Sequence, residues 1–126
     1  MWRVRIRLDP GAPNPLSAQL VGAIARRIHG GTLAPASRVP SVRRLAADLD
    51  LAANTVAKAY RELEAAGLLV GRGRLGTFVV ERLPERMPER EGRLAQAAAA
   101  FVKRADQLGF TAAEARGAVE RAFGER

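Results

Sequence analysis

Short polar and basic side chains cluster near the start of one amphipathic segment that ends at Gly67. Val56, Tyr60 and Leu63 recur at spacings of four and three, which predicts a helix with one buried stripe. Its other face carries Asn54, Thr55, Lys58, Arg61 and Glu62. Amide, hydroxyl and ammonium groups on an exposed helix face have the chemistry that reads base edges and phosphates in a major groove. The alternative is an ordinary packed helix with a solvated polar face.

Catalytic and metal-binding constellations lack their minimum parts. His29 is the only histidine and the chain has no cysteine, which excludes a histidine triad, a multi-histidine metal site and thiolate chemistry. The segment Gly71–Gly76 fits the glycine fingerprint of dinucleotide sites, but a β-prone run follows it where that fingerprint needs a helix. We therefore expect neither an enzyme nor a bound cofactor or metal.

A second short helix is predicted immediately before the polar one. Ser41 is a favourable N-cap, and Val42, Leu45 and Leu49 follow at spacings of three and four. Gly67 is the expected left-handed residue after the second helix. Two short helices joined by a tight turn constitute a helix-turn-helix.

The residues after this pair predict a β-hairpin with a basic tip. Two β-prone runs, 68–70 and 77–80, flank a loop that contains Arg72 and Arg74 among three glycines. Glycines allow the loop to approach a nucleic-acid backbone closely, and the arginines supply charge for phosphate or minor-groove contact. Helix, helix and basic hairpin together predict a winged helix.

The first thirty residues are expected to support this core. Trp2, Val4, Ile6 and Leu8 alternate with arginines, which predicts a half-buried strand whose arginines mostly face water. Apolar residues then recur every four positions from Leu16 to Ile28, which predicts a supporting helix that ends at Gly30 and Gly31.

Charge is distributed unevenly along the 126 residues. The net charge is +8, and residues 1–83 hold 13 basic and 6 acidic side chains, whereas residues 84–126 hold 8 and 7. A basic N-terminal part suits a nucleic-acid partner, and a solvated basic surface is the alternative. Neither a secretory signal nor an apolar run of about 18 residues is present, so we expect a cytoplasmic protein without a membrane span.

The C-terminal part predicts a linker over residues 82–92 and two helices over residues 93–126. A helical hairpin of about 35 residues is too small to bury its own apolar faces well, so it should pack on another copy of the chain. We expect it to form a homodimer; folding back onto the chain's own winged helix is the alternative. The predicted dimerisation residues are Leu94, Ala98, Phe101, Ala105, Leu108, Val119 and Phe123.

The chain resembles the DNA-binding domain of the GntR family of bacterial transcription regulators. The resemblance is carried by Val39-Pro40-Ser41-Val42-Arg43-Arg44-Leu45-Ala46, Asn54-Thr55-Val56-Ala57-Lys58-Ala59-Tyr60, Gly67-Leu68-Leu69 and Gly76-Thr77-Phe78-Val79. One departure is Ala36, which stands where the family usually has glycine and puts the turn geometry there in question. The short tail resembles that of the YtrA-like subfamily, whose members dimerise through it and whose genes often neighbour transporter operons.

The resemblance implies a mainly α fold with a small β component (α+β), in which a winged helix-turn-helix over residues 1–81 precedes the linker and tail. It implies a sequence-specific regulator, usually a repressor, that binds a near-palindromic double-stranded DNA operator as a homodimer. The implied DNA-binding residues are Ser41, Arg43, Ala53, Asn54, Thr55, Lys58, Arg72, Arg74 and Thr77. Two of the base-reading positions, Ala53 and Ala57, carry arginine in some members, so we expect fewer bidentate guanine contacts here.

Two other classes of function remain open from the residues. A non-specific nucleic-acid-binding protein would need only the basic charge, although one Trp, one Tyr and four Phe offer no visible stacking platform. A protein-interaction module would use the tail to recruit a different chain. The sequence names neither an effector ligand nor the target genes.

Overall fold

The computed structural model describes residues 5–84 and 87–123. In that part of the chain, five α-helices, three short strands and one 3-10 turn follow one another. In chain order they are α1 (Leu16–His29), β1 (Arg38–Val39), α2 (Val42–Leu49), α3 (Ala53–Ala65), β2 (Leu69–Gly71), the 3-10 turn (Gly73–Leu75), β3 (Thr77–Val79), α4 (Met87–Gln107) and α5 (Ala112–Phe123). One compact unit contains α1 to α3 and the strands, and a second contains α4 and α5. The predicted fold class, mainly helical with a small sheet, is confirmed.

The core of the first unit lies where α1 and α2 pack against α3. Its largest fully buried side chains are Leu20, Ile24, Leu45, Val56, Leu63 and Val79. All but Val79 lie on helices, at the positions that the spacing of three and four predicts. The exposed face of α3 is therefore fixed by the stripe on its other side.

The caps of the helix-turn-helix follow from single residues. The Ser41 side chain accepts a hydrogen bond from the Arg44 backbone N–H at 3.2 Å, as expected of an N-cap. Asp50 ends α2 in the left-handed conformation, with φ 54°, and turns the chain toward α3. Gly67 adopts φ 76° after α3, which confirms its predicted capping position.

The sheet is antiparallel and has the order β1-β3-β2. Strands β2 and β3 form the predicted hairpin, with Val70 opposite Phe78. Strand β1 was not predicted, because two residues are too short for a periodic signal; it pairs Arg38 with Phe78 from the other side of β3. The central strand thus ties the wing to the segment that leads into α2.

The predicted N-terminal strand is wrong for residues 5–8, which belong to no strand; residues 1–4 lie outside the described part. The alternation does predict which side chains are partly buried, because Ile6 and Leu8 pack against the core while Arg5 and Arg7 are exposed. The segment is held by α1 instead of by a sheet. Arg27 donates to the Arg5 carbonyl at 2.5 Å, and Gln19 exchanges two hydrogen bonds of 2.8 Å with the Asp9 backbone.

The predicted linker differs from the structure over residues 87–92, which form the first turns of α4. Proline is tolerated in the first turn of a helix, so Pro88 does not prevent an early start. The alternating acidic and basic residues that suggested a linker also suit an exposed helix face. The division into domains at residues 81 and 93 stays a prediction.

The second unit consists of α4, a turn at Gly109 with φ 82°, and α5. The predicted capping box of α5 is confirmed: Thr111 Oγ1 accepts from the Glu114 N–H at 3.2 Å, and Glu114 Oε1 accepts from the Thr111 N–H at 3.0 Å. Hydrogen bonds to the ionised carboxylate, first from the Thr111 backbone N–H and then from the Thr111 side chain, lower the pKa of Glu114. The start of α5 is therefore fixed locally.

Candidate nucleic-acid interface

The N-terminal half of α3 presents the side chains that the sequence assigned to base reading. Ala53, Asn54 and Lys58 are exposed, and Thr55 is half-buried. They lie opposite Val56 and Tyr60, which are fixed in the core at 0% and 3% exposure. No side chain caps the helix at Ala52 among the described residues, so first-turn N–H groups are available to an anion. This face combines donors, one cation and small residues.

The start of α2 adds a second group of predicted contacts. Arg43 is exposed in the first turn of α2, directly after the Ser41 cap. The Ser41 oxygen accepts from Arg44, which leaves its hydroxyl proton free to donate. Arg44 is paired with Asp48 at 3.4 Å along the exposed side of α2, so the two neighbouring arginines differ in their surroundings.

Tyr60 joins the two helices of this motif. Its hydroxyl donates a 2.7 Å hydrogen bond to the Pro40 carbonyl, immediately before the Ser41 cap. Burial raises the pKa of Tyr60, so the hydroxyl stays protonated at neutral pH. Sequence reasoning placed Tyr60 in the buried stripe but missed this bond, because only the fold brings residue 40 near residue 60. The bond fixes where α2 begins relative to α3.

The tip of the wing is the 3-10 turn, closed by the Arg72 N–H donating to the Gly76 carbonyl at 2.8 Å. Gly73 and Gly76 adopt φ 56° and 109°, values that disfavour any side chain. Arg74 is exposed on the turn, and Thr77 is half-buried at the start of β3. The glycines thus carry a cation to the far end of the hairpin, as the sequence predicts.

Arg72 is engaged within the wing. Its Nη2 lies 3.7 Å from Glu81 Oε1, and its guanidinium lies over the Phe78 ring at 5.4 Å from the centroid. Sequence reasoning missed another basic residue, Arg38. It is exposed on β1, where it is the pairing partner of Phe78. No motif could have found it, since its place beside the wing depends on the pairing of β1 with β3.

The second unit has an open apolar groove of about 540 Å³ between α4 and α5. Five of the predicted dimerisation residues line it: Leu94, Ala98, Phe101, Ala105 and Val119. The other two, Leu108 and Phe123, are 56% and 54% exposed and do not line it. Sequence reasoning missed Val102 and Phe110, which also line the groove; Phe110 follows the turn at Gly109 and belongs to no helical period.

Neither a metal-binding cluster nor a membrane-spanning helix occurs in the described ranges, 5–84 and 87–123. No three side chains of the metal-binding types come together there. None of the helices described is both long and apolar enough to cross a membrane.

A three-helix core with an exposed polar helix start, beside a basic β-hairpin, defines a winged helix-turn-helix DNA-binding protein. Residues 16–79 match the family of bacterial regulatory proteins called the gntR family. The chain belongs to the GntR family, and it is a DNA-binding transcriptional regulator. The resemblance seen in its motifs is confirmed.

Individual relatives extend the match beyond the winged helix. The chain is 42% identical over 110 residues to the HTH-type transcriptional regulator Rv1152 of Mycobacterium tuberculosis, covering 87% of each chain. Several other curated relatives are matched over less than two thirds of their own length.

Solved structures agree with this assignment. The chain is similar to YtrA from Sulfolobus acidocaldarius, a GntR-family transcription factor, at 30% identity and a TM-score of 0.60, covering 75% of this chain and 97% of that one. It is also similar to the DNA-binding domain of AraR in complex with operator ORE1, at 27% identity and a TM-score of 0.52, covering 61% and 94%.

Proposed function

We propose that this protein is a homodimeric transcriptional repressor that binds a near-palindromic operator with one α3 in each half-site. The observation that carries the proposal is the exposed polar start of α3, fixed by the buried stripe of Val56, Tyr60 and Leu63. The operator-bound AraR domain, which has a similar fold, supports a duplex DNA partner. Such a role belongs in the cytoplasm, where bacterial DNA is accessible.

Base reading falls to the first turns of α3 in this proposal. Asn54 and Thr55 have the amide and hydroxyl groups that bond to base edges, and Ala53 can pack against a thymine methyl. Lys58 lies one turn further along the same helix and suits a phosphate. At the start of α2, Ser41 and Arg43 reach phosphate or a base edge.

The wing supplies a contact outside the major groove. Arg74 stands exposed at its tip, and Thr77 follows at the start of β3. Both suit a phosphate or the edge of the minor groove. These contacts position the protein on the duplex, whereas α3 gives the sequence preference.

The tail supports a homodimer. Its groove is lined mainly by apolar side chains, and Phe101, Val102 and Phe110 remain 40%, 54% and 52% exposed there. Ala105, at 8%, is the only residue of α4 and α5 that is buried within the described range. A second copy of the same groove would remove this apolar surface from water, and two-fold symmetry in the protein would match a palindromic operator.

Selection from a pool of random DNA duplexes tests the operator claim. The full-length protein should enrich an inverted repeat, with two half-sites separated by about one helical turn or a multiple of it. Enrichment of a single unrepeated site would argue against a dimer on DNA. No enrichment above the input pool would identify a non-specific nucleic-acid-binding protein.

Substitution of Arg43 by alanine separates its two possible roles. If Arg43 reads a base, the variant should lose about 1–3 kcal/mol of binding on the selected operator and much less on shuffled DNA. Equal losses on both duplexes would make it a phosphate contact. Fluorescence anisotropy on the two duplexes at one salt concentration measures the difference.

Substitution of Phe101 by glutamate tests the dimer. A buried unpaired carboxylate would oppose association through the groove, so the variant should sediment as a monomer where the wild type is a dimer. Lys103→Glu is the matched control, because Lys103 is exposed on α4 and does not line the groove. A wild type that sediments as a monomer, or a Phe101→Glu dimer as tight as the wild type, would contradict the proposal.

A further inference from the structure

Three arginines surround the wing, and their surroundings differ. Arg74 projects from the tip, Arg72 lies where β2 enters the turn, and Arg38 reaches the wing from the neighbouring strand β1. Arg72 already has two partners, the Glu81 carboxylate and the Phe78 ring. The Glu81 carboxylate already offsets part of the Arg72 charge that would attract a phosphate.

Arg38 packs beside Gly76 without having its charge neutralised. A methyl group built on Gly76 would lie 2.8 Å from Arg38 Nε and 3.2 Å from its Cζ and Nη2, so the guanidinium occupies the space that a side chain at Gly76 would need. Yet no carboxylate of the described residues forms an ion pair with Arg38. Packing against Gly76 restricts the positions open to the long side chain, and a side chain restricted in this way loses less entropy on binding.

The location of Arg38 connects the two halves of the predicted DNA surface. It lies three residues before the Ser41 cap of α2 and pairs with Phe78 in the central strand of the sheet. The hydrogen bond from Tyr60 to Pro40 fixes the short segment between Arg38 and α2. An exposed guanidinium that packs on Gly76 and has no carboxylate partner among the described residues thus lies between the start of α2 and the wing.

We propose that Arg38, and not Arg72, binds a DNA phosphate beside the tip of the wing. The proposal rests on the DNA-binding function proposed above and adds a contact that the sequence motifs do not contain. In it, Gly76 has two roles: it allows the turn at the wing tip, and it provides the surface on which the Arg38 guanidinium lies. Arg72 braces the hairpin through Phe78 and Glu81.

The salt dependence of DNA binding tests this assignment. Arg38→Gln should weaken binding about tenfold on both the selected operator and shuffled DNA. It should also reduce the slope of log K against log salt by about 0.9, the change expected for one lost phosphate contact. Arg38→Lys should retain the wild-type slope because it keeps the charge. Arg72→Gln and the control Lys103→Gln, on α4 of the other unit, should also retain that slope.

A second measurement is independent of any effect on folding. A neutral methylphosphonate placed at each backbone position in turn should identify one phosphate whose neutralisation weakens the wild type but not Arg38→Gln. If the wild type binds DNA while Arg38→Gln keeps its affinity, slope and phosphate profile, the assignment of Arg38 is wrong and the proposed function stands. A loss of slope in Arg72→Gln instead would restore Arg72 as the contact. A wild type that binds no DNA would reject the proposed function itself.

Discussion

At the scale of single residues, one hydroxyl sets the geometry between the two helices of the DNA-binding motif. Tyr60 is the only tyrosine in the chain, is 3% exposed, and donates to the Pro40 carbonyl at 2.7 Å. Because Pro40 directly precedes the Ser41 cap, this bond controls where α2 begins. A residue in the buried stripe of α3 thereby influences the position of Arg43.

Tyr60→Phe should destabilise the fold by about 1–2 kcal/mol, because the Pro40 carbonyl loses its partner. Burial raises the pKa of Tyr60 in the folded state, whereas an unfolded tyrosine ionises near pH 10. The contribution of the protonated Tyr60 hydroxyl to the free energy of unfolding is thus fully present below about pH 10, and it falls as the pH rises toward the folded pKa. Urea unfolding from pH 8 to 11 measures this: above pH 10 the free energy of unfolding should fall less with pH in the variant than in the wild type. An equal fall in the two proteins would contradict this role of Tyr60.

The chain's departure from the family at Ala36 has a structural consequence. Ala36 adopts φ 64°, the left-handed conformation that glycine tolerates, and its N–H donates to the Val79 carbonyl at 3.0 Å. Left-handed backbone costs a residue with a Cβ about 1–2 kcal/mol. The turn therefore adopts a left-handed conformation that favours glycine, with alanine in its place.

Ala36→Gly should raise stability by about 0.5–1 kcal/mol, since the relief of strain exceeds the added entropy of the unfolded chain. Thermal unfolding measures the change, and Ala66→Gly, at a residue with φ −78°, is the control that should lower stability. A loss of stability in Ala36→Gly would show that the turn is unstrained.

At the scale of elements, helices with a buried period and recognisable caps could be predicted from the sequence. Ser41, Gly67 and the Thr111–Glu114 box all cap where their residue types indicate. Strands were harder, because β1 is created by its pairing with β3. Residues 5–8 alternate like a strand, but the segment is held by α1, where Arg27 donates to the Arg5 carbonyl. The environment of Arg38 and the partners of Arg72 could not be predicted from the sequence either, because both depend on residues that only the fold brings together.

The capping box of α5 gives a prediction for the tail. Thr111→Ala removes the cap and should cost about 1 kcal/mol of helix stability. If the tail forms the dimer interface, the variant should also dissociate at a higher protein concentration than the wild type, as sedimentation equilibrium measures. Thr32→Ala, in a loop of the other unit, is the control. Unchanged association would separate the helix start from dimer formation.

At the scale of the whole molecule, charge and apolar surface are distributed between different parts of the sequence. Residues 1–83 carry a net charge of +7, and the remainder carries +1. The exposed phenylalanines Phe101, Phe110 and Phe123 all belong to the tail. This distribution is consistent with the two binding roles proposed above: the basic first part binds DNA phosphates, and the apolar second part binds a second copy of the chain.

The most direct measurement is the affinity of the full-length protein for its selected operator and for a shuffled duplex of equal length, by fluorescence anisotropy across a salt series. Affinity for both duplexes should fall with salt, because bound phosphates release counterions. We expect the protein to bind the operator at least about a hundredfold more tightly than the shuffled duplex at physiological salt. Equal affinities for the two duplexes across the series would contradict sequence-specific regulation.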